Sequence, residues 1–325
     1  MRKGRHLFLG LTGAALFTWV IVHVGLSGIL QQIRAMSIAL PILLTLSLCR
    51  LLLQTSAWSA ALKCEGLSVK PGKLIGIRLA SQSMGYLTFL GAVISEPLKI
   101  KLLRAPYEST IKATFLDTGV YWFTSALVAI AGCVCAGFQV AHGGHYAWIV
   151  VAITLLTLGL FVTARGKPLL SGLVRVLGKN CPSWLTRGEA IERSIRDYRR
   201  QQPALVGRMF WIDMACQLLL ASEVAVVVWT LRLPIHVATV LAIEGITRVL
   251  KMVSSWVPAR LGADEGGAMS AFMAAGLPPV FGLTLALSRR VRDLLWALIG
   301  LAWLFWGTRH ETSHNSTEGA LAPIA

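Results

Sequence analysis

The chain has 325 residues, of which 55% are hydrophobic and only 14% charged, and a mean hydropathy of +0.65. Such a composition excludes a water-solvated globular protein. A formal net charge of +16 would raise nucleic acid as a partner for a soluble chain, but no nucleic-acid fold or aromatic–basic platform accompanies it, and cytoplasmic loops of membrane proteins carry the same excess.

A helix needs about 20 mainly apolar residues to cross roughly 30 Å of hydrocarbon. In chain order the clearest runs are His6–Val24, Ile38–Leu62, Thr114–Val140, Trp148–Ala164 and Met209–Leu231. The expected fold class is therefore all-α: a polytopic integral membrane bundle in one domain over 1–310, with residues 311–325 a disordered polar tail. Arg2, Lys3 and Arg5 put the N-terminus in the cytoplasm by the positive-inside rule. Arg165–Arg208 carries ten Lys or Arg against three acids, so it is expected inside as well, as interfacial helices or a solvated linker.

Leu74–Leu98 does not fit a simple crossing. Lys70 and Lys73 precede it, Lys99, Lys101 and Arg104 follow it, and about 25 residues cannot cross twice as full helices. A re-entrant hairpin is expected, broken around Gly85–Gly91 and the following stretch through Glu96-Pro97; one ordinary helix is the alternative. Val237–Val257 followed by Pro258–Gly267 repeats this grammar, and Gly276-Leu277-Pro278-Pro279 makes a turn before the last helix. Two broken segments in corresponding positions are the pattern of inverted repeats around a transport site.

Ionisable residues at bilayer depth cost roughly 2.5–3.5 kcal/mol each on insertion scales. This chain keeps Arg50, Arg78, Glu96, Asp117, Asp213, Glu223, Glu244, Arg248, Lys251, Arg260, Asp264, Glu265, Arg289, Arg290, Arg292 and Asp293 within or beside apolar stretches. Most must be paired. Glu244 and Arg248 stand i,i+4, which allows a local pair; Asp213 and Glu223 share a helix ten residues apart and should meet different neighbours. The clustering at two breaks points to a wet, headgroup-sized cavity. Candidate lipid- or headgroup-binding residues are Glu96, Lys99, Asp117, Arg260, Asp264, Glu265, Arg289, Arg290, Arg292 and Asp293, with Gly91, Pro97, Pro258, Gly262 and Gly266 as candidate break or hinge positions. The six cysteines are scattered without metal-ligand spacing and read as small buried hydrophobes. No catalytic, metal or cofactor site is expected.

Ser95-Glu96-Pro97-Leu98-Lys99, Pro258-Ala259-Arg260-Leu261-Gly262-Ala263-Asp264-Glu265-Gly266, Gly276-Leu277-Pro278 and Arg289-Arg290-Val291-Arg292-Asp293 resemble the lysylphosphatidylglycerol-synthase transmembrane-domain superfamily, often called flippase-like. The hopanoid-biosynthesis-associated, HpnL-type branch looks closest. Ser95 and Ala259 stand where that family usually has glycine, and Leu116 where it commonly has a basic residue. The resemblance implies six to eight membrane segments with re-entrant hairpins, a bacterial inner membrane location and lipid flipping as the activity. No long soluble stretch is left for the aminoacyl-transferase domain of the full synthases.

Three functions follow as expectations. The first is a lipid transporter not driven by ATP, since no phosphate-binding P-loop is present. The second is an accessory or scaffold protein for lipid-biosynthesis enzymes. The third is a lipid-modifying enzyme, for which no nucleophile–base constellation is found. Membrane lipids are the expected partners; the oligomeric state is left open.

Overall fold

The computed structural model describes residues 38–88, 91–140, 201–233, 236–253, 260 and 262–318. The expected runs His6–Val24 and Trp148–Ala164, residues 165–200 of the basic segment, and Pro258 lie outside the described residues. Among the described residues the chain forms eight helices and no strand: α1 Ala39–Cys64, α2 Pro71–Leu87, α3 Gly91–Leu103, α4 Tyr107–Val140, α5 Pro203–Thr230, α6 Val237–Val253, α7 Ala263–Ala274 and α8 Pro279–Glu318. Helices α1, α4 over Tyr107–Gly137, and α5 are long and apolar enough to cross a membrane.

Local chemistry sets the ends of these helices. Proline opens α2 and α5, where its missing N–H and fixed φ suit a first turn. Gly66 and Gly276, at φ +75° and +73°, close α1 and α7. At both, the N–H of the next residue reaches back five positions, Leu67 to Leu62 O at 2.9 Å and Leu277 to Phe272 O at 2.9 Å. That is the Schellman arrangement, which favours a residue without Cβ. After α5 the same turn is made by Arg232 at φ +56°, with Leu233 N donating to Val228 O at 3.1 Å.

Leu74–Leu98 is not one continuous helix. The chain leaves helical geometry at Thr88, whose φ of −95° and ψ of 160° are extended, and α3 begins at Gly91. Leu98 then packs with Ala80, Met84 and Leu87, while Leu103 packs with Leu74 and Ile77, so α3 folds back along α2. Pro97 is not at this break: it lies inside α3, one turn or more beyond it. The second interruption falls between Val253 and Ala263, and α7 packs on both α6 and α8. Gly262, at φ +77°, is the N-cap of α7; Gly266 lies within α7 rather than at the break.

Helix α1 lies along α5, α4 along α6, and α2 along α8. Part of the packing persists when α1–α4 are exchanged in order for α5–α8: α2·α8 becomes α6·α4, and α2·α3 becomes α6·α7, whereas α7 packs far more closely on α8 than α3 on α4. Both crossings are close because of glycine. A Cβ on Gly245 would stand 2.7 Å from Gly132 Cα and 3.0 Å from Ala129 O, and Gly300 lies directly against Leu79 and Ser83 of α2. Four apolar clusters fill the spaces between helices. The outer face remains apolar: Trp211 and Trp229, 71% and 55% exposed, are separated by about 27 Å along α5 at 1.5 Å per residue. That spacing suits aromatic residues at the two borders of a hydrocarbon layer.

Helix α8 runs on to Glu318, into a tail expected to be disordered from 311. No glycine or proline interrupts the sequence between Gly307 and Gly319, so nothing in it stops the helix.

Candidate functional site

The polar interior divides into two groups joined by α5. At the first break, Arg78 of α2 donates to Asp117 Oδ2 of α4 at 3.0 Å and to the Gln54 carbonyl of α1 at 2.6 Å. Glu96 accepts from Lys99 at 2.8 Å within α3 and from the Thr118 hydroxyl at 3.1 Å. Arg78, Lys99 and Asp117 are buried. Their proximity reflects helix crossing rather than sequence: α3 packs on both α2 and α4.

The second group gathers on the first half of α8, at Arg289–Asp293. Arg289 donates to Glu244 Oε2 of α6 at 2.7 Å, and Glu244 Oε1 also takes Arg248 at 2.8 Å. Arg292 bonds to Glu223 of α5 and, at 2.8 Å, to Asp293. Arg290 makes two bonds to Glu265 of α7, at 2.6 and 3.1 Å, the two-pronged geometry that suits guanidinium and carboxylate. Glu265 Oε2 also accepts from Gly262 N at 2.9 Å, tying the ion pair to the helix start. Arg248 extends the network to Ser125 at 3.0 Å and to Gln217, whose amide reaches Thr124 at 3.2 Å.

The two breaks meet. The Arg260 guanidinium sits over the Tyr86 ring, 5.8 Å from its centroid, near enough for a cation–π attraction. Tyr86 ends α2 at the first break, while Arg260 belongs to the second and pairs with Asp264 at 3.2 Å. Arg260 holds φ +48°, a left-handed conformation that a non-glycine residue adopts at a strained or specialised position.

Of the residues expected from sequence, Arg260, Asp264, Glu265, Arg289, Arg290, Arg292 and Asp293 come together at the second break. Glu96 and Lys99 pair with each other and Asp117 with Arg78 at the first. Arg78, Glu223, Glu244 and Arg248 were legible as buried charges but not as members of this site. Gln217, Ser125 and Tyr86 carried no charge signal at all. Among the described residues, a recess lined by Lys251, Asp264 and Arg289 has room for about one water molecule.

Charge in the two groups is uneven. Among the described residues, Arg248, Lys251, Arg260, Arg289, Arg290 and Arg292 gather with Glu223, Glu244, Asp264, Glu265 and Asp293, six bases with five acids. The arrangement can therefore accept an anion at the price of exchanging a carboxylate partner. Neither the curated proteins nor the solved structures contain a match. Residues 7–301 match the family described as Lysylphosphatidylglycerol synthase TM region, which is most of the chain, and the protein accordingly belongs to that family of membrane proteins linked to lipid metabolism or transport.

Proposed function

We propose that the protein is a lipid transporter of the hopanoid-associated branch of its family, moving an anionic lipid headgroup across a bacterial inner membrane without ATP. The observation that carries this reading is the group of buried arginines at the second break, Arg289, Arg290 and Arg292, held by carboxylates that come from three other helices. An incoming phosphate or similar anion would replace one of these carboxylates, with Arg290 and Arg260 as its first contacts. The two broken helix pairs serve as re-entrant hairpins, since backbone interrupted at membrane depth is tolerated only against protein or a water-filled cavity. The exchange pattern of the packing supports an inverted repeat, with the N-terminus cytoplasmic and membrane lipids as the partners. On this reading the compact network is the closed state, and no catalytic role is assigned to any of its residues.

Proteoliposomes carrying a fluorescent phosphatidylglycerol test it. A membrane-impermeant quencher reaches label in the outer leaflet alone unless the protein exchanges the leaflets. Wild type is expected to expose both leaflets, Arg290→Ala/Glu265→Ala to lose most of that exchange, and Arg290→Lys to fall between, because Lys cannot replace a two-pronged contact. Equal exchange by wild type and the double variant would refute the reading.

A further inference from the structure

One buried acid has no place in either ion-pair network. Asp213 of α5 is 1% exposed, its Oδ2 has no hydrogen-bond partner, and no ion pair reaches its carboxylate among the described residues. The charged groups that act on it are Asp117 of α4 and Arg78 of α2. Arg78 is already committed to Asp117 and to the Gln54 carbonyl, and Lys99 to Glu96. Asp117 Oδ1 also lacks a partner. Arg50 of α1 acts on Cys216, one turn further along α5, and not on Asp213. From α6, Arg248 bonds to Gln217 of α5, about 6 Å further along the helix axis, and is held there by Glu244 and Ser125; from α8, Arg289 and Arg292 reach α5 at the Leu220 carbonyl and at Glu223, about 10 and 15 Å further along.

Among the described residues, the charges around the first break are two bases, Arg78 and Lys99, with three acids, Glu96, Asp117 and Asp213. An ionised carboxylate buried without a partner is strongly disfavoured, and two carboxylates sharing one guanidinium cannot both ionise freely. We propose that Asp213, together with Asp117, forms a proton-binding site that holds one proton when Arg78 is paired as seen. The step is a plain protonation: a carboxylate oxygen takes a proton from water to form an O–H bond and returns it when the site opens or Arg78 shifts its attachment. A proton fits better than a metal cation, because among the described residues no group of three or more His, Cys, Asp or Glu side chains is placed to hold one. The site does not depend on the lipid reading; if both hold, proton binding at one break and anion binding at the other offer a means of coupling transport to a proton gradient.

The full chain in lipid nanodiscs tests this by infrared spectroscopy. At neutral pH wild type is expected to show a protonated-carboxyl carbonyl band that Asp213→Asn lacks and that the substitution of an exposed acid, Glu108→Gln, retains. A band unchanged by Asp213→Asn overturns the proposal. Asp213→Asn keeps the size and neutral charge of the protonated acid, so it should fold; thermal unfolding against pH gives a second readout. A site that takes up one proton on folding loses stability as pH rises, up to tenfold in the unfolding equilibrium per pH unit, and Asp213→Asn should lack that component. Equal pH slopes in the two proteins, or a sodium-dependent stabilisation of wild type absent in Asp213→Asn, would also overturn the proton assignment.

Discussion

Replacing Gly245 by alanine puts a methyl group where α4 and α6 touch backbone to backbone. The new Cβ would lie 2.7 Å from Gly132 Cα, 2.9 Å from Gly132 C and 3.0 Å from Ala129 O, well inside ordinary contact distance. These neighbours are backbone atoms and cannot rotate away, so the helices must separate by several tenths of an ångström to an ångström. Ala129, Cys133, Ala136, Ala242 and Val249 form one buried cluster there, and separation loosens all of them. Overpacking typically costs 1–3 kcal/mol; with rigid backbone on both sides we expect about 3 kcal/mol. Gly132→Ala should behave alike, and the double variant should lose less than the sum, because helices already apart admit the second methyl more easily. Thermal unfolding in detergent, read against Gly119→Ala and Gly137→Ala where nothing lies within 4 Å of the added Cβ, measures this. If Gly245→Ala melts with Gly119→Ala, the close crossing is not what holds α4 to α6.

Other substitutions probe separate features. Glu223→Gln removes the acceptor that Arg292 shares with Arg289 and strands buried positive charge, so a loss of about 3–5 kcal/mol is expected; a melting temperature equal to wild type would show the pair to be dispensable. Arg232→Gly relieves a left-handed non-glycine residue at the end of α5 and should stabilise by about 1 kcal/mol, visible as a raised melting temperature. Pro97→Ala restores a backbone donor inside α3 and should add about 2 kcal/mol; a drop in stability would mean that the proline's shape, not its missing N–H, matters there.

The breaks were legible in sequence because glycine, proline and charge interrupt an otherwise apolar stretch, and such interruptions survive without knowledge of neighbours. Even so, Pro97 misled: it sits within α3, since a proline on the outer side of a short helix can forgo one bond. The i,i+4 pair of Glu244 and Arg248 was also readable, being local. The partners of Glu223, Glu244 and Arg78 were not. Helices α1 and α5 are apolar on nearly every side, so they carry no stripe from which to read which face turns inward, and partners such as Glu223 and Arg292 or Arg78 and Asp117 are chosen by helix crossings. Gln217 and Ser125 were hidden for a simpler reason: uncharged polar residues are common in membrane helices and raise no alarm.

Helix α8 presents Arg289, Arg290 and Arg292 almost side by side, yet their acids stand on α6, α7 and α5 respectively. Neighbouring residues on a helix point about 100° apart, so turning α8 even slightly would detune all three attachments together. Intermediate orientations strand charge in a medium that penalises it heavily. The bundle should therefore switch between few, well-separated arrangements, in the manner of a keyed shaft that seats in a handful of angles and rests in none between.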